Sequence, residues 1–212
     1  SFTDLDKYKN GNLIHYTVEE EGVPEDYTSA VNGTDITNSY TPGKTNIKVK
    51  KVWNDNEDQD GKRPTSIKVQ LYADGTAYGE EVTLTGTENW TYTWENLDVK
   101  KNGKAISYKV VETGTVTGYT STEGTAENNY TITNSHTPEK TSVSGTKTWN
   151  DSNDQDGIRP DKITVNLLAD NVKVDSTEAT KAGGWTYSFT DLDKYKNGNL
   201  IHYTVEEEGV PE

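Results

Sequence analysis

The chain has 212 residues, with 35 acids against 21 bases for a formal net charge of −14, and only 30% of its residues are apolar. That acidic balance excludes a binder of nucleic-acid phosphates, and no run of 18 apolar residues is present to cross a membrane as a helix. There is no cysteine, and His15, His136 and His202 are scattered, so disulfides, thiolate chemistry and a histidine-based metal centre or triad are all excluded.

A mean hydropathy of −0.93 leans towards disorder. The 13 Tyr, 5 Trp and 2 Phe argue instead for small β domains with thin cores. The first residues do not read as a signal peptide, so a mature or excised segment is expected.

The chain repeats itself. Ser1–Glu25 returns letter for letter as Ser188–Glu212. Inside that long period lies an imperfect shorter one. KVWNDNEDQDGKRP (51–64) returns as KTWNDSNDQDGIRP (147–160), and TDITNSYTPGKT (34–45) is echoed by YTITNSHTPEKT (130–141). Two kinds of unit, each of roughly 90–95 residues, therefore alternate in a tandem array. Residues 1–43 are read as the C-terminal part of one repeat, 44–138 as a complete repeat, and 139–212 as the N-terminal part of a further repeat.

In chain order the elements are all β. Tyr16 and Val18 share a face with Glu20, and Ile36 with Asn38. In the complete repeat Ile47, Val49, Lys51 and Trp53 alternate with polar neighbours, as do Ile67, Val69 and Leu71. Trp90, Tyr92 and Trp94 form one face, Ile106, Tyr108, Val110 and Glu112 another, and Tyr130, Ile132 and Asn134 a third. Such alternation marks strands with one buried face. Asp74-Gly75 and Asn102-Gly103 mark turns between them. Several short strands in one repeat predict a β-sandwich, and no segment has a trustworthy helical period. In the last repeat Val143, Gly145, Lys147 and Trp149 share a face, and Tyr203 and Val205 share one with Glu207.

Polar residues interrupt the inner faces: Lys51 and Lys147 in first strands, Glu112, Glu20 and Glu207 in penultimate strands, Asn134 and Asn38 in last strands. Lysine and glutamate are rarely buried unless paired. One explanation is a buried Lys–Glu pair with Asn as hydrogen-bond partner, or exposure at strand ends. The other is chemistry. Burial lowers an amine's pKa and raises a carboxyl's, and a neutral amine is a nucleophile. It could attack a carboxamide polarised by the acid and expel ammonia, leaving an isopeptide bond formed once, without turnover.

The run Lys-x-Trp-Asn-Asp…Gln-Asp-Gly-x-Arg-Pro, then Tyr-x-Val-x-Glu, then Ile-Thr-Asn-x-x-Thr-Pro, resembles the B-type repeats of collagen adhesins (Cna B-type domains) over essentially the whole chain. The resemblance implies tandem inverse immunoglobulin-like β-sandwiches, extracellular on a Gram-positive cell wall. It also implies an autocatalytic Lys–Asn isopeptide bond between first and last strands, assisted by a Glu. Carried over, Lys51 and Asn134 are the crosslinked pair and Glu112 the catalytic acid. Lys147 with Glu207, and Asn38 with Glu20, are members of the second kind of repeat. There the order departs from the pattern, because Asn38 precedes Lys147. Either the terminal fragments sit in incomplete domains, or Asn38 of one molecule completes a neighbour and yields head-to-tail self-association.

Other chemistries fit the residues less well. Asn56, Asp58, Asp60 and Gly61, and their counterparts Asn153, Asp154, Asp156 and Gly157, imitate the start of a calcium loop. The place of its closing glutamate holds Ile67, and a solvated loop of Asx turns accounts for them. Glu80-Glu81 and Glu206–Glu208 suggest a glycosidase only if set in a cleft. Three Asn-x-Thr sequons begin at Asn32, Asn89 and Asn129. The expectation is a structural stalk that projects a separate ligand-binding domain, with neighbouring repeats as partners. No metal, cofactor, nucleic acid or membrane is expected, and no enzymatic turnover. The alternative is a host-ligand or carbohydrate-binding β-sandwich module.

Overall fold

The structure, a computed structural model, describes residues 1–209. The last residues of the expected 139–212 repeat, and of the duplicate Ser188–Glu212, lie outside the described residues. Two compact units are present: Ser1–Thr45 with Asn96–Ile106, and Asn46–Glu95 with Ser107 onward.

In the first unit the hairpin of β1 (Thr28–Asn32) and β2 (Asp35–Ser39) turns at Gly33. A shorter one pairs Tyr8–Lys9 with Asn12–Leu13. Its apolar side chains, among them Phe2, Leu5, Tyr27 and Ile36, are exposed.

The complete repeat runs through β3 (Lys44–Asn54), β4 (Ser66–Ala73), β5 (Thr76–Thr85), β6 (Thr91–Asp98), β7 (Tyr108–Thr113), β8 (Thr120–Ser121), β9 (Gly124–Thr125) and β10 (Thr131–Ser135). They form two four-stranded sheets, ordered β8-β10-β3-β6 and β9-β7-β4-β5. The first and last long strands, β3 and β10, are parallel neighbours, with Ile132 opposite Lys51 and Asn134 opposite Trp53. Ile47 and Val49 from β3, Val69 and Leu71 from β4, Val110 from β7 and Ile132 from β10 fill the space between the sheets. The architecture is a β-sandwich, as the alternation predicts, and immunoglobulin-like, as the resemblance implies. The only helical segments among the described residues are single 3₁₀ turns, Gly86–Glu88 and Ala126–Asn128.

The structure departs from the pattern at several places. Tyr16, Val18 and Glu20, expected on a penultimate strand, lie on none, and Lys147 and Trp149 lie beyond the strand Lys140–Thr146. Tyr130 is left-handed (φ 53°) ahead of β10. Trp90 is not a strand residue: it takes a left-handed conformation (φ 57°) ahead of β6. Tyr92 is exposed although Trp94 is buried. Gln70, expected outside, is buried because the β4–β5 register shifts beside it, and its Nε2 donates to the carbonyls freed there, those of Leu71 and Tyr78. Glu112 is also not on the penultimate strand, since the two-residue strands β8 and β9 intervene before β10.

The last repeat repeats this plan in part, with β11 (Lys140–Thr146) paired to β14 (Thr186–Asp193). β12 (Lys162–Ala169) lies between β13 (Val172–Thr180) and β15 (Tyr203–Glu207). Among the described residues β11 has one partner strand where β3 has two.

The loops after β3 and β11 close on themselves. Arg63 makes two bonds to Asp55, at 3.0 and 2.5 Å, and the Tyr119 hydroxyl donates to the same carboxylate at 2.8 Å. Arg159 holds Asp151 in the same way. Asp58 and Asp154 accept the backbone N–H of Arg63 and Arg159. Burial works against the Asp55 charge, but the bonds from Arg63 and Tyr119 outweigh it and hold its carboxyl below the ordinary range.

Removing one partner of a buried pair strands the other, at a cost of about 3–5 kcal/mol. Arg63→Ala should therefore lower the urea midpoint of the complete repeat by much more than Arg159→Ala lowers that of the last, because the Asp55 side chain is 1% exposed and that of Asp151 32%. The Asp55 contribution is present above the pKa of an unfolded aspartate and is lost as pH falls through its depressed folded value.

Candidate crosslinking site

Three of the singled-out residues meet in the core of the complete repeat. β3 and β10 run parallel with side chains on one face, so the long Lys51 side chain reaches diagonally past Ile132 towards Asn134. β7 in the facing sheet brings Glu112 across the sandwich. Lys51 and Asn134 are 3% and 1% exposed.

The Glu112 carboxylate sits between the other two. Its Oε1 accepts from Asn134 Nδ2 at 3.0 Å and its Oε2 lies 3.8 Å from Lys51 Nζ. The amine also donates to the Val52 carbonyl at 3.1 Å and lies 3.9 Å from the centre of the Trp53 ring. Trp53 itself packs edge-on against Trp90 and Tyr119, which shut this end of the core. Asn134 Oδ1 is buried without a hydrogen-bond partner. An orphaned acceptor costs roughly 1–3 kcal/mol, so the amide is held with unused acceptor capacity.

Burial pushes the Lys51 amine down to about 8, against the opposing pull of the Glu112 and Asp55 charges. A buried primary amine of lowered basicity, a carboxyl within reach of it, and a carboxamide bonded to that carboxyl are the components of amide exchange.

The other four residues are brought together only in pairs. Lys147 Nζ lies 2.6 Å from Glu207 Oε2, with the side chains 28% and 22% exposed. Glu20 accepts from Asn38 Nδ2 at 2.8 Å and from the Ser29 hydroxyl at 2.9 Å, on an exposed surface. Lys51 and Lys147 are nonetheless seated alike: the backbone N–H of each donates to the carbonyl of a tryptophan, Trp90 or Trp185. The chain thus holds one complete constellation and two complementary halves.

Sequence reasoning passed over the Asp55–Arg63–Tyr119 cluster, which borders the Lys51 end of the site. A signal was available, because Asp and Arg recur at the same spacing in both loops, as Asp55 with Arg63 and Asp151 with Arg159. The carboxylates read as imitating a calcium loop are engaged within the protein, Asp58 by Arg63 and Asp60 by His136. Among the described residues no group of three or more His, Cys, Asp or Glu is arranged to hold a metal ion.

Two parallel first and last strands, a sandwich core and a buried Lys–Glu–Asn set define a class of repeat, and comparison with known proteins names it. The Cna protein B-type domain matches residues 1–39, 47–135 and 143–212, and the chain belongs to that family. It is 50% identical over 210 residues to a collagen adhesin of Staphylococcus aureus, a match covering 99% of this chain and 18% of the adhesin. Its fold is similar to the crystal structure of two B repeat units of the collagen binding protein of Staphylococcus aureus. That match has a TM-score of 0.74 and 48% identity, over 99% of this chain and 56% of the other. The chain therefore spans less than a fifth of the curated relative it matches.

The exposures predict a chemical contrast. In the folded protein an amine-acetylating reagent should modify Lys147 and spare Lys51, as read by peptide mapping. Equal labelling of the two would contradict the burial of Lys51.

Proposed function

We propose that this chain is a stretch of the stalk of a bacterial surface adhesin, and that its complete repeat locks itself with an isopeptide bond between Lys51 and Asn134. The observation that carries the reading is the meeting of Lys51, Glu112 and Asn134 in a buried core. The family supports an adhesin repeat, and the similarity to a staphylococcal collagen adhesin supports an extracellular position at the cell wall. The ligand-binding function belongs, on this reading, to a separate part of the adhesin that the stalk projects.

The chemistry balances without a co-reactant. The Lys51 ammonium passes a proton to Glu112. The carboxyl turns from acceptor to donor, and rotation of the Asn134 amide presents Oδ1 to it. The free amine attacks Cγ, the C–Nδ2 bond breaks, Glu112 relays the proton to the leaving nitrogen, and ammonia departs. The sheet supplies the proximity and the core excludes competing water. No group is regenerated for a second round, so the protein is its own single-use catalyst.

The bond joins the first strand to the last. Tension entering β3 and leaving β10 passes from Lys51 to Asn134, and the residues between them lie outside the load path. Closing a loop of this length also stabilises the fold by about 4–5 kcal/mol in the loop-entropy picture.

Intact mass under denaturing conditions should fall one ammonia short of the sequence value. Lys51→Ala, Asn134→Ala and Glu112→Ala should each restore the full mass. The proton that Glu112 relays comes from the Lys51 ammonium, which burial brings down to titrate at about 8. Chain obtained unfolded and uncrosslinked, then diluted from denaturant, should therefore crosslink more slowly as the pH is raised past about 8, because the ammonium that supplies the relayed proton is lost; a rate that climbs through that range contradicts the assignment.

The half-sites support the head-to-tail extension. Glu20 with Asn38 lacks a lysine, and Lys147 with Glu207 lacks an asparagine. Seating β2 of one molecule beside β11 of another, in the register of β10 beside β3, sets Ile36 opposite Lys147 and Asn38 opposite Trp149. Concentrated protein should then give a ladder on a denaturing gel that Lys147→Ala and Asn38→Ala each abolish. A single monomer band would end this extension and leave the intramolecular bond untouched.

A further inference from the structure

The joint between the complete repeat and the last one, within the second unit, is closed by charge. Asp60, buried in the loop after β3, accepts the backbone N–H of Glu139 at 2.9 Å and meets His136 Nε2 at 2.8 Å. His136 Nδ1 meets the Gly118 carbonyl at 2.7 Å. Both partners of the ring accept, so both nitrogens carry hydrogen and the imidazole is cationic. Glu139 is gripped from both sides, by Lys62 of the complete repeat at 2.5 Å and by Lys194 of the last repeat at 2.9 Å. Beneath these side chains the backbones touch. The Gly198 N–H donates to the Gln59 carbonyl at 2.9 Å, and a Cβ on Gly61 would lie 2.6 Å from Gly198 Cα.

The other kind of joint in the array uses the corresponding positions of the alternate repeat type. The two copies of the shared motifs put Ile158 where Lys62 stands, Tyr40 for His136, Gly43 for Glu139 and Val99 for Lys194. The platform is kept: Gln155, Asp156 and Gly157 match Gln59, Asp60 and Gly61, and Gly103 matches Gly198. All four side chains that close the charged joint are thus exchanged together for uncharged ones. Ile158 is 84% exposed, and Tyr40 and Val99 are 48% and 38% exposed. A mixed joint would set Lys194 against isoleucine, or leave Glu139 with Lys62 alone and a valine in place of Lys194.

We propose that the array carries two chemically incompatible joints, a charged clamp and an apolar contact, so that each kind of repeat accepts only the other kind as its next neighbour. The surface around Ile158 then takes as its partner the hairpin end of a repeat of the 44–138 kind, through the valine at the position of Val99. The inference is independent of the isopeptide bond, because none of its residues belongs to that site.

The chain has no cysteine, so a pair introduced at the exposed Lys68 and Lys173 reports the distance across the charged joint once spin-labelled. The wild-type joint should give a narrow distribution at low salt and lose it at about 1 M salt, where the screening length falls to about 3 Å. It should also lose it as pH rises through the His136 pKa, which the bond to Asp60 holds above its ordinary value. The groups facing that ring are Asp60 and Lys62 from the loop after β3, Tyr119 from the segment before β8, and Glu139 just beyond it. Glu139→Gly alone should be broad at every salt. The fourfold change Lys62→Ile, His136→Tyr, Glu139→Gly and Lys194→Val should be narrow again and indifferent to salt and pH. If the fourfold variant fails to fold, Lys62→Ile with Lys194→Val reads the clamp alone and should be broad at low salt. A wild-type distribution unmoved by salt, a narrow Glu139→Gly or Lys62→Ile/Lys194→Val variant, or a folded fourfold variant that is broad or still salt-sensitive overturns the proposal.

Discussion

A lysine amine buried in a thin sandwich is the constraint on which the complete repeat depends. The core offers few apolar side chains, and Lys51 occupies a place that an aliphatic residue would fill with no electrostatic penalty. Isolating that charge would cost several kcal/mol. The repeat answers with an acid from the facing sheet, a carbonyl from the neighbouring residue and the face of Trp53. None of these fully satisfies the amine, since the carboxylate stands 3.8 Å away. Partial satisfaction is what a stable ion pair avoids and a reactive group requires. A stronger Lys–Glu bond would hold the proton on the nitrogen and silence the nucleophile.

The contrast with the last repeat separates burial from residue identity. Lys147, one residue beyond the end of β11, has the same backbone anchor and the same kind of acid as Lys51, yet bonds Glu207 at 2.6 Å with both side chains partly exposed. The missing element, among the described residues, is a second strand beside β11. Its absence opens the pocket, admits solvent and lets the pair close into an ordinary salt bridge. The chemistry of the first site is therefore a property of the closed sandwich and not of the Lys–Glu pair alone.

Much of this was legible in the sequence because period-2 alternation exposes any polar residue aimed inward. Lys51, Glu112 and Asn134 stood out as interruptions of otherwise apolar faces, and the repeat motifs placed them on separate strands. What alternation could not show is set by long-range geometry. The bulge that buries Gln70 comes from a register shift between β4 and β5, and the exposure of Tyr92 follows from where β6 begins, after the left-handed turn at Trp90. The Asp55–Arg63 lock lies in a loop, where no period exists and only the paired recurrence of Asp and Arg carries a signal. His136 was set aside as one of three scattered histidines, because its partner Asp60 lies far along the chain and the two meet only when the loop after β3 folds back to the end of β10.

The proposed crosslink and the proposed joints would place stiffness at two levels by different physics. Within the complete repeat the covalent path proposed from Lys51 to Asn134 would be indifferent to salt, pH and redox conditions. Between repeats nothing covalent beyond the chain itself is available, and the joint relies on a few side chains around a glycine–glycine contact. Charge serves there because Glu139 is flanked by lysines from both repeats, so each domain contributes to fixing the other. Exchanging all four residues together at the alternate joint preserves that reciprocity in apolar form. A joint changed at one position would keep its backbone contact and lose its closure, which is why the sequence differences between the two repeat types fall on both sides of the joint at once.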